Sequence, residues 1–133
     1  MPPKKTIHQL GSPEDWLRHA RSDLAIACHA IAPDILYETL CFHTQQAVEK
    51  SLKAVLVAKG IEIPDTHSIA RLITAINEVN VDWPEEMNAV AELSEYALQI
   101  RYPGMLRDVS KKDYEFALEL AKRVMAWAKN IIT

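Results

Sequence analysis

Glycine is scarce in this chain, with three residues in 133, and cysteine is scarcer still, with two. So few glycines exclude a Gly-rich phosphate-cradling loop, a dinucleotide fingerprint and a repeat β-structure. Cys28 and Cys41 are too few for a disulfide framework, and read as small buried apolar side chains in a reduced protein. Long hydrophobic runs are missing as well. The stretch Ala54–Ala58 ends at Lys59, far short of the ~20 residues that cross a bilayer. The opening MPPKKTIHQLG has two lysines but no apolar run behind them, unlike a secretory leader. A cytoplasmic protein without a membrane partner is therefore expected. Basic residues are not in excess either: 15 Lys and Arg face 18 Asp and Glu, for a formal net charge of −3. That balance argues against a strongly basic nucleic-acid binder, although it leaves room for a local basic patch.

What remains is an ordinary globular composition, 49% hydrophobic and 25% charged. A chain of this size buries enough surface for a core of its own. Residues 1–11 read as an N-terminal tail and residues 12–133 as a single helical domain. Pro and Gly cut that domain into five pieces with helical period. Ser12-Pro13-Glu14-Asp15 is a helix start, and Trp16, Leu17, Ala20, Leu24, Ala27 and Ile31 continue it at three-to-four spacing. Pro33-Asp34 predicts the start of a long second helix ending at Lys59-Gly60. After the loop IEIPDTH, Ser68–Val79 carries one stripe of Ile69, Leu72, Ile73 and Ile76. Asp82 with Glu85 has the spacing of a capping box before a fourth helix that stops near Arg101-Tyr102-Pro103-Gly104. Ser110 with Asp113 opens the last. No segment keeps a period of two. The expected fold is all-α, a four-to-five-helix up-and-down bundle.

The chemistry motifs are sparse. His8, His19, His29, His43 and His67 include no i, i+4 pair and no HExxH, so no metal or cofactor is expected. No nucleophile elbow is present. Glu85-Glu86 and Glu92/Glu95 fall at a helix start or on a solvated face. The long helix says more. With Lys50 placed at zero on a helical wheel, His43 falls near about +20°, Gln46 near −40° and Lys53 near −60°. Val48, Leu52 and Val55 point to the opposite side. Ala47 and Ala54 flank the polar stripe and make a small-residue seam that another helix can approach. Long donors beside such a seam suit an anion or carboxylate, while the plainer reading is a solvated face with local pairs such as Glu49–Lys53. His67 stands at a helix start, where exposed N–H groups favour anions. RYPG at Arg101–Gly104 is a cationic, aromatic and rigid corner. Gln46, Lys50, Lys53, His67, Arg101 and Tyr102 are the candidate nucleotide- or anion-binding residues, with His43 a weaker one.

The string FHTQQAVEKSLKAVLVAKG, then PDTHSIARLI, then RYPG ahead of a last amphipathic helix, resembles the HEPN family (higher eukaryotes and prokaryotes nucleotide-binding domain). The resemblance runs from about Trp16 to Ala128 and includes Trp16, Ala20 and Asp23-Leu24 in the first helix. It implies a HEPN-like bundle, a homodimer packed through the long helices, and a minimal nucleotidyltransferase as partner, often in a toxin–antitoxin pair. It implies a nucleotide- or substrate-binding role beside that partner. Toxin members of the family resemble metal-independent RNases, whose motif is an Arg, a polar residue and then a His, with four to six residues separating Arg from His. There His moves the 2′-hydroxyl proton and Arg stabilises the phosphate charge. Here no His follows Arg101 anywhere in the chain. Two alternatives stand beside the binding role: an RNase toxin using Arg101 with a non-standard His, and a purely structural dimer subunit.

Overall fold

The computed structural model describes residues 11–29, 32–96, 102–104 and 108–133. They form α1 (Pro13–Cys28), α2 (Tyr37–Ala58), α3 (Ile69–Glu78), a 3₁₀ helix (Glu85–Ser94) and α4 (Lys111–Ile132). Among the described residues there is no strand, as the missing two-residue period requires.

The caps of α1 and α4 follow directly from local sequence. Asp15 N–H donates to Ser12 Oγ and Ser12 N–H donates to Asp15 Oδ2, both at 3.1 Å. Ser110 and Asp113 repeat that reciprocal pair at the same distances. Each such cap is worth about 1 kcal/mol. α3 is capped by Ser68, whose Oγ accepts from Arg71 N–H at 3.3 Å. Ile69 N–H, a second orphan donor of that turn, is taken by Ser94 Oγ at 3.0 Å.

Three boundaries differ from the sequence expectation. The second helix begins at Tyr37, four residues after Pro33. Ile35 N–H donates to Ala32 O at 3.1 Å, closing a turn around Pro33-Asp34, and extended Leu36 then serves as the cap. The first helix closes at Cys28, where His29 N–H bonds Ile26 O; Ile31 lies outside the described residues. The fourth segment is 3₁₀, capped by Pro84 without a side-chain bond, so the Asp82–Glu85 capping box does not form. Its buried residues are Met87, Val90 and Leu93. A spacing of three sets them along one edge of a helix with three residues per turn. Trp83 and Trp127 meet edge-to-face at 4.9 Å, and Trp127 Nε1–H donates to Asp82 O at 2.8 Å. These contacts tie the 3₁₀ entry to α4.

α2 is the central element. Its Leu40, Cys41, Val48, Leu52 and Leu56 pack with Ile69, Leu72 and Ile76 of α3, with the 3₁₀ helix, and with Tyr114, Leu120 and Val124 of α4. Val48, Leu52 and Val55 are buried, as the helical wheel required. On its other side Ala54 joins a cluster with Leu17 and Ala128, and Ala47 one with Ala20 and Met125. Residues 17, 20 and 27 of α1 thus meet residues of falling number on α2 and α4, so α1 runs antiparallel to both. The alanine seam is filled by α1 and α4 of the same chain. The helices that approach it are therefore this chain's own.

The two cysteines separate. Cys41 is buried and Cys28 is exposed, so only Cys41 is the buried apolar side chain expected of both. Burial pushes the Cys41 thiol from 9.0 up to about 12, against a smaller opposing effect of Tyr96. In a native thiol titration near pH 8 we expect Cys28 to react and Cys41 to stay silent until the chain unfolds. Equal rates for both would contradict the burial. The unfolded chain gives up the Cys41 proton first, so this group's share of stability is intact below 9.0 and is lost as pH rises toward 12.

Candidate functional site

The polar face of α2 is built around two carboxylates, one borrowed from α1. Asp23 sits on α1 among Ala20 and Ala27 and is buried. Its Oδ2 accepts from Lys50 Nζ at 2.6 Å, and its Oδ1 lies 3.0 Å from His43 Nδ1. On α2 itself, one residue before Lys50, Glu49 is 3% exposed. Its Oε1 accepts from Gln45 Nε2 at 3.0 Å, and its Oε2 accepts from Lys53 Nζ at 2.9 Å. His67, from the loop before α3, brings Nδ1 to 3.2 Å of Oε2. Gln46 Nε2 donates to Gln45 Oε1 at 3.0 Å and so joins the second network at its edge.

The i, i+4 spacing that suggested a solvated Glu49–Lys53 pair is therefore real but buried. The Lys53 side chain is 10% exposed, and its ammonium also lies 5.7 Å from the centre of the Trp16 ring, within cation–π range. Each carboxylate is matched by one lysine and one imidazole. A carboxylate can only accept, so Nδ1 of His67 carries the proton and Nε2 faces away from Glu49. The His67 side chain is 77% exposed, which leaves that nitrogen accessible.

Beside this network lies a cavity of about 480 Å³ between the start of α1, the end of α2 and the loop before α3. Trp16, Val57, Ile61, Ile63 and Pro64 give it aromatic and aliphatic walls, and Lys53 and His67 give it polar ones. Among the described residues no group of three His, Cys, Asp or Glu is arranged to hold a metal ion. No helix among them is long and apolar enough to cross a membrane.

The sequence candidates thus fall into separate places. Lys53 and His67 meet through Glu49, Gln46 reaches them through Gln45, and Lys50 and His43 meet through Asp23. Tyr102 is exposed in the turn that packs Pro103 and Gly104 near Leu36 and Thr39 at the start of α2. By the rise of the helix, that is roughly 20 Å from Lys53. Arg101 lies outside the described residues. Asp23, Glu49, Gln45 and Trp16 were missed as site residues. For Asp23 a signal existed: an acid between Ala20, Leu24 and Ala27, on the buried stripe of α1, needs a buried partner.

An all-α bundle whose long central helix carries a carboxylate-organised polar seam defines the class. The HEPN domain model matches residues 13–131, and the chain belongs to the HEPN family. A protein of Methanocaldococcus jannaschii named "Putative toxin MJ1304" is 27% identical over 132 residues, covering 88% of this chain and 86% of that protein. The crystal structure of TT1696 from Thermus thermophilus superimposes with a TM-score of 0.77 at 30% identity, covering 90% of this chain and 97% of that one. The crystal structure of ST0689, described as an archaeal HEPN homologue, gives 0.73 at 27% identity over 93% of this chain and all of that one.

Proposed function

We propose that this chain is a non-catalytic HEPN module, the nucleotide- or substrate-binding partner of a minimal nucleotidyltransferase in a toxin–antitoxin-type pair. The observation that carries the reading is the cavity walled by Trp16 and bordered by Lys53 and His67. It is concave, mixed in polarity and of small-molecule size. The relative named as a toxin supports the paired context. In this reading the protein acts in the cytoplasm as a homodimer, and the chemistry belongs to the partner. Total transfer RNA incubated with the purified protein in EDTA is expected to stay intact. A nucleotidyltransferase is expected to co-purify from the native host, and its absence under mild conditions would count against the pairing.

One observation favours a second reading, a metal-independent RNase with a non-standard histidine. A buried Glu49 holds Nδ1 of an exposed His67, the arrangement by which carboxylates orient an imidazole for proton transfer. Cleavage by wild type, lost in both His67→Ala and Arg101→Ala, would replace the binding reading with this one. Loss in neither variant would assign the activity to a contaminant.

A further inference from the structure

We infer that the cavity between α2 and the loop before α3 takes the uncharged ring of a nucleobase and leaves any phosphate outside, in water. This rests on the nucleotide-binding reading above and narrows it to one end of the ligand.

Charge decides against phosphate. Among the described residues Lys53 is the ammonium in the wall, and it is spent on Glu49 at 2.9 Å. His67 turns its Nδ1 to the same carboxylate. Glu62 and Asp65 are both exposed on the rim of the cavity. A phosphate seated here would face those two carboxylates and would have to compete with Glu49 for the lysine. Sites that hold phosphates offer unmatched Arg or Lys side chains instead, and among the described residues none lines this cavity.

Shape and hydrogen bonding favour a base. The Trp16 indole lines the cavity, and stacking on an aromatic face tolerates any base because it needs no charge. Val57, Ile61, Ile63 and Pro64 supply aliphatic contact, and about 480 Å³ leaves room for a bicyclic ring with part of a ribose. The main-chain groups of Glu62, Ile63 and Asp65 make no hydrogen bond to another described residue, so N–H and C=O groups are at hand to read the ring edge. The Glu62 and Asp65 carboxylates are acceptors for an exocyclic amino group or ribose hydroxyls, and His67 Nε2 adds another acceptor. Every one of these favours the neutral end of a nucleotide.

The test is calorimetric titration of the full chain with adenosine, guanosine, cytidine and uridine, and with their 5′-monophosphates, at low salt and at about 0.3 M salt. At least one nucleoside is expected to bind within about threefold of its monophosphate, equally at both salts. Trp16→Ala is expected to weaken it about 5- to 150-fold. Trp16 also packs against Leu17 and Ala54, so the unmutated chain provides a second readout. The Trp16 indole N–H, which has no partner among the described residues, and the amides of 61–63 and 65–67 are expected to shift in NMR spectra on nucleoside addition. Shifts confined to another part of the chain would overturn the location. Monophosphates that bind at least about tenfold tighter than nucleosides, and weaken with salt, would overturn the inference and leave nucleotide binding standing. No binding of either would overturn both.

Discussion

Replacing Glu49 by Ala is expected to lower the stability of this protein by about 3–5 kcal/mol, the cost of breaking a buried ion pair from one side. Glu49 is 3% exposed and Lys53 only 10%, so solvent cannot take over when the carboxylate goes. Three groups lose their acceptor together: the Lys53 ammonium, the Gln45 amide and the His67 ring. Glu49→Gln keeps the volume and one carbonyl, and should cost less, about 1–3 kcal/mol. The paired change Glu49→Gln with Lys53→Met should recover most of the Glu49→Gln loss, because replacing both charges removes the stranded ammonium. Urea unfolding with an unchanged slope measures all three. A Glu49→Ala loss below about 1 kcal/mol would mean that water reaches the pair, as at an exposed ion pair. The same variant frees His67 from its orienting contact, so any RNA cleavage that depends on His67 should fall with it.

Charge reversal at Lys50 is the second large effect. Lys50→Glu puts a new carboxylate beside Asp23, whose Oδ2 now holds the lysine at 2.6 Å. Only His43 remains to offset two acids. We expect a loss of about 2–3 kcal/mol, from a charged hydrogen bond worth about 1.5–3 kcal/mol plus repulsion. The repulsion is reduced by solvent screening because the Lys50 side chain is 24% exposed. Lys50→Met removes the bond without the repulsion and should cost about 1–2 kcal/mol. Because Lys50 does not line the cavity beside Trp16, nucleoside binding by whatever fraction remains folded should be unaffected in either variant. A binding defect in fully folded Lys50→Met would instead restore the polar stripe of α2 as one continuous ligand surface.

The contrast between those two lysines shows where the sequence was readable. Helical period placed Val48, Leu52 and Val55 inside and put Lys50 and Lys53 on one stripe, because both facts depend only on the turn of a helix. Ser12 with Asp15 and Ser110 with Asp113 marked two helix starts, since a capping box closes within four residues. Asp82 with Glu85 has the same spacing and forms no box. There Trp83 and Trp127 fix the chain entry, and Met87, Val90 and Leu93 favour a three-residue turn. Local spacing could not weigh a contact that comes from α4, more than thirty residues away in the chain.

By itself, then, the sequence determined an all-α chain, a core face and a polar face on its longest helix, two firm caps, and the motif order that marks the HEPN family. Each of these is a property of residues close together along the backbone. The tertiary structure decided which charges are spent. It brought Asp23 across from α1 to Lys50, sank Glu49 beneath Lys53 and His67, and used the alanine seam within the chain. It also set Tyr102 near the far end of α2 from His67. Asp23 and Lys50 meet only when helices pack, and the same packing desolvates the local Glu49–Lys53 pair, whose loss the fold then feels.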